Sequence, residues 1–380
     1  MLKKLLVGVC GLGIGISIGI VYLSFIPQNS SLLSGLAFPK KEVIGFLPYW
    51  QTNTAKTDYS TYITTLTYFG LALGSDGKIL KLANPQQLEP GWNALASGKV
   101  APFLSAAKKK NVSLSLLIFS GNTDTILAVL SNPAQHAQNL LSDIEPIMHH
   151  YGFSDVNLDI EYTADASPSA QTHFTQFISA IKKYIPSNQT LTVEVMSTDA
   201  IKKNLIDLSA VGKIADHIVV MAYDYHAPDS FVTGPIAPLA GANVDSEYDV
   251  TTALQQAVKQ VSAGKVILGI PLYGYEWESL APFSRSAVIA GSGVIASNHR
   301  GEELLATCST CSAQMDTEAE ELHMSYLDTD TDTYHQLFIP TKASTQAKIT
   351  LANTNHIGGL ALWALGYEGD TILQPLIKYR

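Results

Sequence analysis

Asn157, Asp159 and Glu161 stand at every second position of the segment GFSDVNLDIEY, Gly152 to Tyr162, with Val156, Leu158 and Ile160 between them. Successive side chains of a β-strand point to opposite faces. As a strand, the segment therefore carries an amide and two carboxyls on one face and aliphatic groups alone on the other. Two adjacent carboxyls with no nearby Lys or Arg repel each other, and one proton becomes harder to remove. Such a pair supplies an acid and a base at one site. The competing reading is a half-buried antiparallel strand whose acidic face is merely solvated, and the rest of the chain has to decide between them.

The elements that must position these residues alternate along the chain. Apolar, strand-like runs occupy Glu42–Trp50, Leu66–Leu73, Val112–Phe119, Val156–Tyr162, Leu191–Met196, His217–Asp224, Lys265–Gly274 and Gly358–Leu365. Helical patterns lie between most of them, such as HAQNLLSDIEPIMHHYG, TQFISAIKKY and TTALQQAVKQVSAGK, the first and third stopped by glycine. Eight repeats of strand and helix predict an α/β fold, a parallel sheet closed as an eight-stranded (β/α)8 TIM barrel. The doubly wound open sheet is the rival, and no GxGxxG loop follows the first strand to support it. The stretch between the seventh and eighth strands is too long for one crossover. It predicts a small inserted α+β subdomain at about 278–340.

In such a barrel, chemistry sits at the C-terminal ends of the strands. Asp159 and Glu161 end the fourth strand, and Tyr223 and Asp224 end the sixth. Trp50 ends the first, Tyr273 and Trp277 lie at or just past the end of the seventh, and Trp363 is near the end of the eighth. Flat aromatic faces at strand ends suit sugar rings.

The 380 residues, 46% of them hydrophobic, can bury a large core, and the net charge of −9 argues against a nucleic-acid partner. Lys3 and Lys4 precede an uncharged apolar run, Leu5 to Ile26, long enough to cross a bilayer at ~20 residues per span. Residues 1–27 are expected to be a membrane anchor with the barrel outside the cytoplasm. Alternatively they are a signal cleaved near Gly35-Leu36-Ala37, leaving a secreted protein. Residues 28–40 read as a linker and 41–380 as the barrel. Cys308 and Cys311 form CSTC, for which a local disulfide is expected outside the cytosol, half a zinc site being the alternative. The acidic run Leu327–His335 lacks the Gly and Glu of a calcium loop and reads as a polar turn. No metal site is expected. The oligomeric state stays open.

At these residues the chain resembles glycoside hydrolase family 18, the family of chitinases and related N-acetylglucosaminidases. The family's fourth-strand signature DGxDxDxE reads SDVNLDIE here, Ser154 to Glu161, with Asp159 and Glu161 at its last two acidic positions, and its MxYD is met by MAYD, Met221 to Asp224. GPIAPL (Gly234 to Leu239), LGIPLYGYEW (Leu268 to Trp277) and GGLALWALGYEGD (Gly358 to Asp370) follow in family order, so the resemblance spans Val43 to about Asp370. It implies retaining hydrolysis of β-1,4 bonds in N-acetylglucosamine-containing glycans, with chitin binding and no cofactor. The substrate's own acetamide oxygen would attack the anomeric carbon. Glu161 would protonate the leaving oxygen and then activate water, with the Asp159 charge helping to raise its pKa. Asp159 would hold the acetamide N–H, Tyr223 its oxygen, and Asp224 a hydroxyl or the acetamide. Trp363 would floor the sugar, with Trp50 and Trp277 flanking.

The chain departs from the pattern at Ser154 and Asp155, which replace DG, and at Asn157, which replaces the second Asp. An amide can donate to Asp159 but cannot share a proton. Asn at this position and the YGYEW segment also resemble spore-cortex and peptidoglycan hydrolases, so chitin oligomers and peptidoglycan both stay open as substrates. A catalytically weak or inactive glycan-binding protein on the same barrel is the second reading, disfavoured by the presence of Glu161. A membrane-tethered structural protein is the third.

Overall fold

The computed structural model describes residues 41–244 and 246–380. The predicted N-terminal anchor or signal and the whole of the predicted linker lie outside them. No helix of the described residues is long and apolar enough to cross a membrane.

Among the described residues there are fifteen strands: β1 Glu42–Pro48, β2 Thr65–Ala72, the short pair β3 Leu82–Asn84 and β4 Gln87–Leu88, β5 Ser113–Ser120, β6 Asp155–Ile160, β7 Thr190–Met196, β8 His217–Met221, β9 Val266–Pro271, β10 Tyr273–Ser279, β11 Val294–Ser297, β12 Ser312–Asp316, β13 Glu321–Asp328, β14 Thr333–Ile339 and β15 Gly359–Trp363. Eight of them close a barrel in the order β1-β15-β9-β8-β7-β6-β5-β2. Every pairing within it is parallel. Strands buried on both faces read as continuous apolar runs, and β6 and β9 are buried at every position.

The helices supply the outer layer by amphipathic spacing. Helix Pro168–Tyr184 buries Ala170, Phe174, Phe177, Ile178 and Ile181 along one stripe. Its first turn is satisfied by Ser167, whose hydroxyl accepts the Ala170 N–H at 3.1 Å. Helix Pro133–Tyr151 stops at Gly152, whose φ of 77° is the left-handed conformation that a side chain disfavours. The glycine expected to stop the third helix does not: that helix ends at Gln260, and Gly264 belongs to a separate turn, Ala263–Lys265.

The barrel interior is divided by chemistry. Ile44, Phe46, Phe69, Leu117, Val219, Ile267 and Ala361 pack as one apolar cluster. Across from them the β6–β7 quadrant is polar. Asp155 accepts the hydroxyls of Ser115 at 2.7 Å, Thr190 at 2.6 Å and Thr192 at 3.0 Å.

Between β9 and β15 the chain forms a five-stranded antiparallel sheet in the order β11-β10-β14-β13-β12, with helix Asn298–Thr307 beside it. Its first strand starts at Tyr273, earlier than residue 278. The predicted seventh strand, Lys265–Gly274, is in fact two: β9 ends at Pro271 and only Leu272 separates it from β10. One face packs Ala296, Met324, Leu337 and Ile339 together. Tyr275, Trp277 and Phe338 on the other face join the main core. Cys308 and Cys311 are disulfide-bonded just after the helix. The acidic run Leu327–His335 comprises the end of β13, the turn at residues 329–332 and the start of β14.

Candidate active site

Strand alternation decides which side chains reach the C-terminal mouth of the barrel. On β6 the odd-numbered residues Asp155, Asn157 and Asp159 point inward at successive levels, and Glu161 follows just beyond the strand. The Glu161 N–H is fixed to the Ser120 carbonyl at 2.9 Å, which continues the β5 register. Asp159, Glu161, Glu194, Met221, Tyr223, Asp224 and Trp363 line a cavity of about 230 Å³, closed on the other side by Phe46, Phe69, Leu117 and Phe119. Four carboxyls thus meet in one small space whose lining contains no Lys, Arg or His.

Burial disfavours the charged form of a carboxyl, and like charges add to the effect. Asp159 is held well above the ordinary carboxylate range by burial and then by the Glu161 charge. Glu161 is raised by burial and next by Asp224, and its repulsion with Asp159 is mutual. Asp224 is raised by burial, against the opposing effect of two tyrosine hydroxyls that donate to its Oδ1: Tyr275 at 2.9 Å, and Tyr273. Tyr223 is pushed far up by burial and by Glu194, Asp159, Asp224 and Glu161 in turn, so it remains a neutral phenol able to donate.

Trp363 ends β15 and forms the aromatic floor. It meets Phe69 at 4.9 Å, Phe46 at 5.7 Å and Trp50 at 6.4 Å between ring centroids, all edge-on. Trp50 lies in the short turn Tyr49–Gln51 after β1 and is 43% exposed. These two tryptophans offer surface at the mouth.

Three expected site residues are placed otherwise. Trp277 is 1% exposed, packs on Tyr275 and Phe338, and donates its indole N–H to the Ala227 carbonyl at 3.2 Å. Its faces are taken by the core, so it does not floor a sugar. Tyr273 is equally buried and does not line the cavity; its hydroxyl holds Asp224. Asn157 is fully buried and donates to Glu194 Oε1 at 2.8 Å, not to Asp159.

Glu194 is the residue that the sequence reading missed. It is 3% exposed in the middle of β7. The available signal was a single charged residue inside the apolar run LTVEVM. Burial, and then the Asp159 charge, raise it far above an ordinary glutamate, while the Asn157 amide opposes the shift. Tyr275 was also missed as an Asp224 partner. Among the described residues, no group of three or more His, Cys, Asp or Glu is arranged to hold a metal ion.

A closed parallel barrel with carboxyls, a tyrosine and a tryptophan gathered at its C-terminal mouth is the layout of a barrel hydrolase. The profile of Glycosyl hydrolases family 18 matches residues 42–368, and the chain belongs to that family. The cortical fragment-lytic enzyme of Bacillus anthracis is 25% identical over 314 residues, covering 80% of this chain. This chain spans 65% of the length of that relative and of its Bacillus cereus counterpart. Among solved structures, the spore cortex-lytic enzyme SleL of Bacillus cereus superposes with a TM-score of 0.68 at 21% identity, over 90% of this chain and 74% of that one. Group IV chitinase of Ostrinia furnacalis gives 0.76 at 20% identity, over 89% and 98%.

Proposed function

We propose that this protein hydrolyses glycosidic bonds in N-acetylglucosamine-containing glycans, with retention and with the substrate's acetamide as nucleophile. The observation that carries this reading is the convergence of Asp159, Glu161, Tyr223, Asp224 and Trp363 on one cavity at the C-terminal mouth of the barrel. Substrate assistance fits a site whose second carboxyl, Asp159, is buried beneath the first rather than presented beside it.

In this reading Glu161 protonates the leaving oxygen, a role that its raised pKa favours. It then takes a proton from the incoming water. Asp159 orients the acetamide N–H and, as an anion, stabilises the positive oxazolinium. Tyr223 donates to the acetamide oxygen. Asp224, held by Tyr273 and Tyr275, positions the acetamide or a ring hydroxyl. Trp363 supports the sugar from below, and Trp50 supplies a flanking surface. We take peptidoglycan-type glycan as the first substrate to test, because the family relatives include cortical fragment-lytic enzymes of two Bacillus species. Chitin oligomers are the second. We also read Leu5–Ile26 as holding the barrel outside the cytoplasm.

Wild type and Glu161→Gln are incubated separately with purified peptidoglycan and with N-acetylglucosamine oligomers, products are read by mass spectrometry, and the anomeric configuration of the fresh product is read by proton NMR. Glutamate-dependent cleavage with a β-configured product supports the reading. Binding by both proteins without cleavage by either overturns it in favour of a glycan-binding barrel. Membrane fractionation and protease accessibility of the producing cell test the location.

A further inference from the structure

Asp159 and Glu194 come from neighbouring strands, β6 and β7, line the same cavity and are both almost fully buried. The groups around them are Asp155, Asn157 and Glu161 on the β6 side and Tyr223 from β8. His217 lies within range of Asp155 at the lower level. No lysine or arginine lines the cavity.

The hydrogen bonds in this quadrant leave a specific gap. Asn157 spends an amide proton on Glu194 Oε1. Its own Oδ1, and Oδ1 of Asp159, are buried without any donor. A buried acceptor left unsatisfied is unfavourable. Two acceptors in want of a donor, beside two buried carboxyls of like charge, call for the same thing: a proton retained on the pair.

We propose that Glu194 is the proton partner of Asp159, the two carboxyls holding one proton between them and passing it across the β6–β7 boundary during the reaction. The role of Asp159 rests on the function proposed above. As positive charge builds on the bound sugar, the O–H bond at Asp159 breaks and an O–H bond forms at Glu194. Asp159 becomes the anion that the intermediate needs. When water captures the intermediate, the proton returns. No proton enters or leaves the cavity in this exchange, and the remaining carboxyls are spared a further negative charge. Asn157 contributes by holding Glu194 in place. The amide at 157 and the carboxyl at 194 together form one hydrogen-bonded pair bearing a single ionisable group. Glu194 is thus a positioning residue that acts through Asp159.

The test uses the full-length protein with Glu194→Gln, the exchange variant Asn157→Asp/Glu194→Gln, and Glu161→Gln. Glu194→Gln is close to isosteric, and its melting temperature reports folding. We expect it to lose at least about tenfold in kcat, less than the ~10²–10⁴-fold that a proton transfer at the reacting group contributes because Glu194 acts through Asp159, with KM little changed. The exchange variant, which moves the carboxyl to the other end of the same hydrogen bond, should regain much of that loss. An infrared titration of protonated carboxyls gives a readout independent of turnover. The component of the carboxyl band that belongs to the pair should titrate at lower pH in Glu194→Gln than in wild type, because one like charge is gone while burial and the Glu161 charge remain, and should return in the exchange variant. An unchanged band overturns the proposal. So does undiminished kcat in Glu194→Gln while Glu161→Gln is inactive. If wild type cleaves no glycan, the proposed function fails, and the infrared titration still decides whether the proton is shared.

Discussion

The hydroxyl of Tyr275 donates to Oδ1 of Asp224 at 2.9 Å, joining the first strand of the antiparallel sheet to the end of a barrel strand 51 residues earlier. Asp224 sits at a φ of 61°, left-handed backbone that a non-glycine residue seldom adopts. The carboxyl is therefore placed by its own backbone and by two tyrosines from β10. Removing one hydroxyl, by Tyr275→Phe, should cost a few-fold to about tenfold in kcat/KM, less than the ~1.5–3 kcal/mol (roughly 10–150-fold) of a full hydrogen bond to a charged group, because Tyr273 keeps its own and still holds the carboxyl. Both tyrosines lower the Asp224 pKa against burial. Loss of one raises it, so the limb of the pH profile that needs ionised Asp224 should move to higher pH. An unmoved profile would mean that Asp224 acts in its protonated form.

Glu161→Gln keeps the shape of the side chain and removes its proton exchange. We expect hydrolysis to fall by about 10²–10⁴-fold, the usual worth of a general acid–base, with the fold and glycan binding intact. Residual activity above about a tenth of wild type would contradict the assignment. Asp159→Asn should also lose most activity, because an amide cannot become the anion that faces a cationic intermediate. Tyr223→Phe should lose less, one neutral hydrogen bond being worth ~1 kcal/mol.

Two tryptophans that look alike in the sequence should behave oppositely. Trp50→Ala removes exposed aromatic surface at the mouth. It should raise KM for long oligomers more than for short ones and leave the melting temperature nearly unchanged. Trp277→Ala empties a core site and should destabilise the protein by about 3–5 kcal/mol, without a length-dependent change in KM. Length-dependent KM effects from Trp277→Ala would reinstate it as a sugar contact.

Buried carboxyls also set the pH dependence of stability. Asp155 is pushed up to about 6 and Asp199 to about 7, each chiefly by burial. Asp159, Glu161, Glu194, Asp224 and Glu321 are raised for the same reason. A carboxyl whose folded pKa lies above its unfolded value favours folding in its protonated form. Stability is therefore lost as pH rises from about 4 through these values. His323, lowered by burial, works the other way below its ordinary 6.5, as do Lys348 and Lys41 below theirs, but the raised carboxyls outnumber them. Asp207, Asp216 and Glu276 are lowered, by partners that include Lys203, Lys182 and Arg300 respectively, and lose their contribution only at more acidic pH. The melting temperature should be higher at pH 5 than at pH 8, and Asp199→Asn should flatten the difference. Equal or greater stability at pH 8 would contradict this.

The barrel was legible because its signal is redundant. Each parallel strand is buried on both faces and reads as an apolar run, and all eight expected runs contain or overlap an observed strand. The acidic face of β6 was equally visible, since Asp159 and Glu161 interrupt such a run at strand spacing. The antiparallel sheet was not resolved into strands. Its outer members β11 and β12 are largely exposed, so their sequences carry little apolar pattern. Trp277 was misplaced because nearness to a strand end says nothing of burial, and β10 turns that tryptophan into the core. Glu194 escaped notice because one carboxyl in an apolar strand forms no pattern by itself; only closure of the barrel brings it beside Asn157.

Only Leu272 lies between the seventh barrel strand and β10. The added sheet is therefore not a module that can be excised to leave a minimal working barrel. A shortened version joined across β9 and β15 would keep every barrel strand and still lose both hydroxyls that hold Asp224. Exchange of this sheet between relatives transplants part of the reaction centre with it, and variation along β10 alone can retune a carboxyl that belongs to another part of the chain.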